Sequence, residues 1–189
     1  SPAGRISLGG VFGVFATNSQ SITIGSQTLT LPVNPNNGFR VPQGFAAQYH
    51  PDGTVAWARR TNGSGNSYIT HLAAAPEGGM AVCGAFGPVS GPGNSSFNFG
   101  AGTPTLSTDF GEAGFVARLD SSGNVLWAEA MQPGQPVASS FTRADAQKLA
   151  VDTTGAVYLS GQYVETVRWG NDSVNAFPPP FFGLVGEYG

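Results

Sequence analysis

Gly114-Phe115-Val116-Ala117-Arg118-Leu119-Asp120-Ser121-Ser122-Gly123-Asn124-Val125-Leu126-Trp127-Ala128-Glu129 reads as a β-hairpin. Two runs rich in β-branched and apolar residues flank Asp120–Asn124, where Gly123 and Asn124 tolerate the positive φ of a tight turn. The pattern occurs earlier, from Gly44-Phe45-Ala46-Ala47 through Asp52-Gly53 to Val55-Ala56-Trp57-Ala58, with Gly, Phe, Ala, Gly, Val, Trp and Ala recurring at one constant offset. A third copy begins at Gly183-Leu184-Val185-Gly186-Glu187-Tyr188. One hairpin returning at a long interval is the mark of a repeat architecture.

The rest of the chain repeats in step. Gly4-Arg5-Ile6-Ser7-Leu8-Gly9-Gly10-Val11-Phe12 lines up with the segments Gly78–Phe86 and Gly155–Tyr163. Each has two apolar residues one place apart, then a Gly, then an aromatic ring two places on. Gly inside a strand marks a bulge or a close backbone approach. Ser21–Gly25, Ser96–Gly100 and Thr166–Gly170 alternate apolar and polar and stop on Gly, the pattern of a half-buried strand entering a turn. Before the glycine strands, His71–Gly78 answers Lys148–Gly155 at a longer offset than the hairpins keep, so an insertion falls between Trp127 and Lys148. This alignment predicts a strand over Ala144–Ala150, where propensity alone suggests a helical turn.

Period-two patterning and short strands joined by Gly, Pro, Asn and Ser predict an all-β fold. Each unit has four main antiparallel strands and a short extra one between the second and third, which is the pattern of a β-propeller blade. About three blades are predicted. The first spans 1–69 and lacks its initial strand, the second spans 70–146 and is complete, and the third spans 147–189 and lacks its last strand. Closed propellers use about four to eight blades, so the preferred reading is a fragment of a larger ring. The alternative is a ring closed by other chains through exposed blade edges, with Ile6, Leu8, Leu184 and Val185 as the assembling residues.

The units resemble the bacterial SBBP β-propeller repeats, in which a stretch like Ala150-Val151-Asp152-Thr153-Thr154-Gly155-Ala156-Val157-Tyr158-Leu159-Ser160-Gly161 is followed by one like Gly114 to Trp127. The copy at His71–Phe86 departs from it, with Pro76-Glu77 in place of the Asp turn and Ala81 in place of Tyr. The resemblance covers nearly the whole chain and implies a secreted or surface location in bacteria. It carries no single activity, because fold does not specify function.

Composition narrows the function classes. The chain's 28 Gly and 14 Pro would suit disorder, but 40% hydrophobic and 11% aromatic residues argue for a packed core. A net charge of −3 with only 8 Lys+Arg offers no basic footprint for nucleic acid. No apolar run is long enough to span a bilayer, and no signal peptide is read. The single Cys83 reads as a small buried apolar residue.

Candidate chemistry is sparse. Asp52, Asp120 and Asp152 sit in turns that resemble calcium loops, but each turn offers one carboxylate where a site needs six or more oxygens. Asx turns explain them without metal. His50 and His71 lie beside no nucleophile motif, and Ser64 reads as a loop residue. Glu112, Glu129, Glu165 and Glu187 form no spaced pair suggestive of glycoside hydrolysis. Trp57 and Trp127 occupy one repeat position and read as packing residues first and sugar-stacking platforms second, and Trp169, aligned with Phe99 and Ile24, reads as core. Phe177, Phe181 and Phe182 flank Pro178-Pro179-Pro180 and are candidate partner-binding residues, with a stiff connector as the plainer alternative.

No catalytic residue, metal or cofactor is assigned. The expected function is a non-catalytic binding or display module for protein or glycan partners, with specificity in the connections Leu31–Val41, Gly87–Asp109 and Met131–Ala144. The rival readings are a carbohydrate-active or quinoprotein-like propeller enzyme domain and a structural module assembling through blade edges.

Overall fold

The computed structural model describes residues 4–14, 17–18, 20–34, 38–89, 93–134, 142–175 and, as backbone, 184–188. Strands are the only regular structure among them. In chain order these are β1 (Ile6–Phe12), β2 (Ser21–Ile24), β3 (Gln27–Thr30), β4 (Gln43–Tyr49), β5 (Val55–Arg60), β6 (Asn62–Gly63), β7 (Asn66–Ala74), β8 (Met80–Gly87) and β9 (Ser95–Asn98). They continue with β10 (Leu106–Thr108), β11 (Ala113–Leu119), β12 (Val125–Pro133), β13 (Ala144–Val151), β14 (Val157–Tyr163), β15 (Thr166–Trp169), β16 (Asp172–Asn175) and β17 (Leu184–Tyr188).

Every strand pair is antiparallel. The first sheet runs β1-β4-β5, the second β7-β8-β11-β12 and on through β15 to β16, and the third β13-β14-β17. Within each sheet successive main strands are neighbours, and the hairpin that opened the sequence reading is β11–β12, with Phe115 opposite Ala130 and Arg118 opposite Trp127. Its counterpart β4–β5, one repeat earlier, keeps the same register, with Phe45 opposite Arg60 and Gln48 opposite Trp57. Ala144–Val151 is a strand, β13, despite its helical propensity, because its backbone groups are taken up along β14.

The insert between the second and third strands differs from the sequence reading. It is a two-stranded hairpin, seen as β2–β3, β9–β10 and β15–β16. The glycine after each first strand (Gly25, Gly100, Gly170) has a positive φ of 58°, 112° and 56° and turns the chain back. The returning strands share no common apolar pattern: β3 alternates through Leu29, whereas β16 is exposed throughout.

These hairpins reach back to the preceding unit. β15 pairs with the end of β12, with Met131 opposite Trp169 and Pro133 opposite Val167. β9 pairs with β6, the short strand just after β5, with Asn62 opposite Asn98 and Gly63 opposite Phe97. The next hydrogen bonds repeat too: Ser64 N–H donates to Ser96 at 3.0 Å, and Gly134 N–H donates to Thr166 at 2.7 Å.

The second sheet is buried on both faces. From β8, Met80, Val82 and Phe86 join one cluster with Trp57, Ile69, Phe97, Phe99, Phe115 and Leu119. Ala81 and Cys83, from the opposite face, join a second with Ala146, Leu149, Val157, Leu159 and Tyr163. The Phe86 and Phe97 ring centroids are 4.5 Å apart and those of Phe97 and Phe115 4.6 Å apart, tilted contacts worth about 0.5–1.5 kcal/mol each beyond burial.

Close approach explains the strand glycines. Gly84 lies opposite Ile69, beside the bulge between Ile69 and His71, and Gly161 lies opposite Ala146, beside the bulge between Ala146 and Lys148. A Cβ on Gly84 would overlap the Tyr68 carbonyl, and one on Gly161 the Asp145 carbonyl. Replacing Gly84 by Ala is therefore expected to cost about 2–3 kcal/mol in urea unfolding, within the range for overpacked cores. At Gly53, whose neighbourhood is open, Gly→Asn should cost less than about 1 kcal/mol, because Asn tolerates the left-handed conformation.

Candidate functional site

The long connections and the tight turns lie at opposite ends of the sheets. Asp52, Asp120 and Asp152 are in the tight turns, and their carboxylates are used locally. Asp120 Oδ1 accepts from the backbone of Ser122 and Asn124, both at 2.8 Å. Asp152 Oδ1 accepts from Thr154 N–H at 2.8 Å and from its hydroxyl at 2.7 Å, and that hydroxyl bond chiefly holds the Asp152 carboxyl below the usual range. Asp52 repeats this with Thr54. Among the described residues no group of three His, Cys, Asp or Glu side chains is placed to hold a metal ion.

Other sequence candidates take packing roles. His71 Nδ1 accepts from Leu149 N–H at 3.3 Å, between the second and third sheets. His50 closes the β4–β5 turn through its backbone. Cys83 is fully buried, and burial pushes its thiol up to about 11. Trp57 is 6% exposed and lies against Gly123 in the β11–β12 turn of the next sheet. Trp127 and Trp169 pack on the second cluster. Phe177, Phe181 and Phe182 lie outside the described residues. Leu184 and Val185 lie in β17, the edge of the third sheet, and pair with Gly161 and Ser160.

Ile6 and Leu8 differ from their repeat counterparts. They are 61% and 42% exposed, whereas Met80 and Val82 are fully buried and Val157 and Leu159 nearly so. β1 is the edge of the first sheet, and no further sheet covers that face among the described residues.

Polar chemistry concentrates where sheet meets sheet, near the long connections. Between the first and second sheets, Gln43, Thr61 and Ser67 are fully buried and bond to one another. The Thr61 and Ser67 hydroxyls are hydrogen-bonded at 2.6 Å, the one whose proton is left over faces Gln43 Oε1 at 3.1–3.2 Å, and Gln43 Nε2 donates to the Gly65 carbonyl at 2.8 Å. At the same repeat positions between the second and third sheets stand Ala113, Met131 and Ala144, also fully buried.

The second junction carries its polarity slightly further out. Arg143 Nε lies 3.0 Å from Glu112 Oε1 and 2.6 Å from Asp145 Oδ2. Tyr68 hydrogen-bonds to Glu112, and Gln162 Nε2 donates to Asp145 Oδ2 at 3.2 Å. The residues come from β7, β13, β14 and the lead-ins to β11 and β13, tied by the Ala144 N–H to Glu112 carbonyl bond at 2.9 Å. Burial, then contact with Asp145, raises the Glu112 carboxyl above its ordinary value of 4.5, while burial raises the Tyr68 hydroxyl. The hydrogen bond to Asp145 holds Arg143 charged. The arrangement fastens two sheets through one guanidinium shared by two carboxylates. Sequence spacing concealed it, because Glu112 and Asp145 are brought together only by stacking; its one trace was the departure from the repeat at Pro42/Glu112 and Tyr68/Asp145.

No known protein family matches the chain, and no curated protein matches it either.

Two tests follow from the junctions. Gln43→Ala alone strands buried hydroxyls and should cost about 1–3 kcal/mol, whereas Gln43→Ala/Thr61→Met/Ser67→Ala, copying the apolar junction, should cost less in the same chemical denaturation. Because the Glu112 carboxyl is raised in the fold, its contribution is fully present below about pH 4.5 and lost as pH rises through the folded value. Urea midpoints should therefore find Glu112→Gln at least as stable as wild type at pH 7 and without that acid-side gain. Arg143→Gln should lose about 1–2 kcal/mol at pH 7, because the 45% exposed guanidinium is partly screened by solvent, and less near pH 5.

Proposed function

We propose that the chain is a run of about three β-propeller blades of the SBBP-like repeat type, acting as a non-catalytic binding or display module outside the cell or on a bacterial surface. The observation that carries this reading is the recurrence of one inter-sheet relation. A hairpin from each following unit closes on the outer strand of the unit before it, twice, with equivalent partners one repeat apart. Radial stacking of four-stranded antiparallel units would produce that repetition. A rigid stack with its longer connections at one end is a scaffold for recognition, with contacts to a protein or glycan carried by those connections.

A second reading is favoured by the exposure of Ile6 and Leu8, whose counterparts are buried against another sheet. Under it, further blades, from this chain's own protein or from other copies, cover that face.

Light scattering beside a denaturing mass separates these readings. If copies of this chain close the ring, the native particle should be a whole-number multiple of the denatured mass, and Ile6→Lys/Leu8→Lys should return it to a single chain without lowering its melting temperature. A wild-type particle of one chain places the missing blades elsewhere. Turnover of a glycan or quinone-linked substrate by the purified chain would overturn the non-catalytic reading.

A further inference from the structure

At the junction of the first two sheets, β6 and β9 pair only over Asn62–Gly63 and Phe97–Asn98, and below that point β5 and the β9–β10 turn diverge. The fork they leave is a groove of about 330 Å³ lined by Arg59, Arg60, Asn62, Phe99, Gly100 and Ala101. One repeat further on, Glu129, Ala130, Gln132, Trp169, Gly170 and Asn171 stand at the equivalent positions, and the ladder there closes one pair further, at Met131 opposite Trp169. The repeat supplies its own comparison. The hairpin closes on the preceding unit there without arginines, so that closure does not require the cations at Arg59 and Arg60.

The arginines also lack the partners that structural arginines have. Arg118 pairs with Glu77, and Arg143 with Glu112 and Asp145, whereas neither Arg59 nor Arg60 is in an ion pair among the described residues. Arg60 Nη1 donates to its own neighbours, the Thr61 carbonyl at 2.9 Å and Asn62 Oδ1 at 3.1 Å. Arg59 Nη2 donates to Asn124 Oδ1 at 3.2 Å, and its charge is felt by Asp120 nearby. Arg60 is half-buried, and that burial lowers its guanidinium below the usual arginine range. A half-buried guanidinium without a countercharge favours an incoming anion.

We propose that this groove is a subsite for an acidic glycan, in which Arg60 holds the carboxylate of a uronate residue and Arg59, leaving the opposite face of β5 toward Asn124, adds positive charge nearby. The planar guanidinium fork matches a planar carboxylate in two parallel hydrogen bonds. Asn62 supplies an amide for a hydroxyl, while Ala101 gives the floor a small apolar surface over the buried Phe99. A peptide strand is a poorer occupant. Strand addition needs a run of open backbone groups, and here Gln27 Oε1 already takes Ala58 N–H while β9 takes Asn62 and Gly63. The assignment rests on the binding-module reading and names the ligand class for it.

Titration calorimetry with tetragalacturonate, its methyl ester and tetraglutamate, on wild type, R59Q/R60Q and R59K/R60K, tests the assignment. Thermal melts confirm that the variants fold. Tetragalacturonate should bind wild type, weaken with salt, and lose roughly tenfold or more in R59Q/R60Q but less in R59K/R60K, the scale of a charge-assisted contact. The methyl ester should bind wild type no better than the acid binds R59Q/R60Q. Absence of acid binding, equal binding of acid and ester, unchanged binding in R59Q/R60Q, or tetraglutamate binding as tightly as the uronate would each overturn the assignment. If a folded R59Q/R60Q retains wild-type affinity for the tetramer, the groove assignment falls and the module reading stands. Release of shorter fragments from the tetramer would instead overturn the module reading itself.

Discussion

A twisted sheet can be buried on both faces only when its neighbours meet its side chains with complementary relief. The second sheet meets this condition by dividing bulk between its faces. Met80, Val82, Phe86 and Phe115 project toward the first sheet, while Ala81 and Cys83 present a low surface on which Val157, Leu159 and Tyr163 of the third sheet rest. The glycines facing the bulges belong to the same arrangement, since Gly84 and Gly161 let neighbouring backbones come closer than any side chain allows. Burial of the aromatic cluster, the register of the ladders and the placing of the junction side chains all depend on this spacing.

The two junctions show how one backbone relation tolerates opposite chemistry. Gln43, Thr61 and Ser67 form a closed hydrogen-bonded set where Ala113, Met131 and Ala144 form a dry contact. Either solution is stable because no buried group of the set is left half-satisfied, the condition that makes interior polarity costly. The stack therefore accepts either chemistry at a junction, provided the whole set of side chains changes together.

Much of the local architecture was legible because its determinants are local or periodic. The β11–β12 hairpin is written in its turn and its alternating apolar residues, and the repeat spacing identified β13 as a strand against its propensity. The returning strands of the inserts were not legible. Residues such as those of β16 face solvent and are held by backbone pairing, so they leave no hydrophobic period. The Glu112–Arg143–Asp145 cluster and the Arg59–Arg60 groove were hidden for another reason. Each is assembled across a junction, and the sequence shows only that these positions depart from their repeat counterparts.

The reaching hairpins have a consequence for how the chain comes apart. Because β9 is laced to β6 and β15 to β12, the unit that melts is not the one that a repeat alignment cuts out. Removing one repeat at its sequence boundary would cut a ladder belonging to its neighbour, so the coupling between units is covalently out of step with the repeats themselves. In a linear array, stability is the sum of what each unit holds alone and what adjacent units share. Here part of a unit's own hydrogen bonding has been moved into the shared portion, which sharpens cooperativity and makes end units the first to fray.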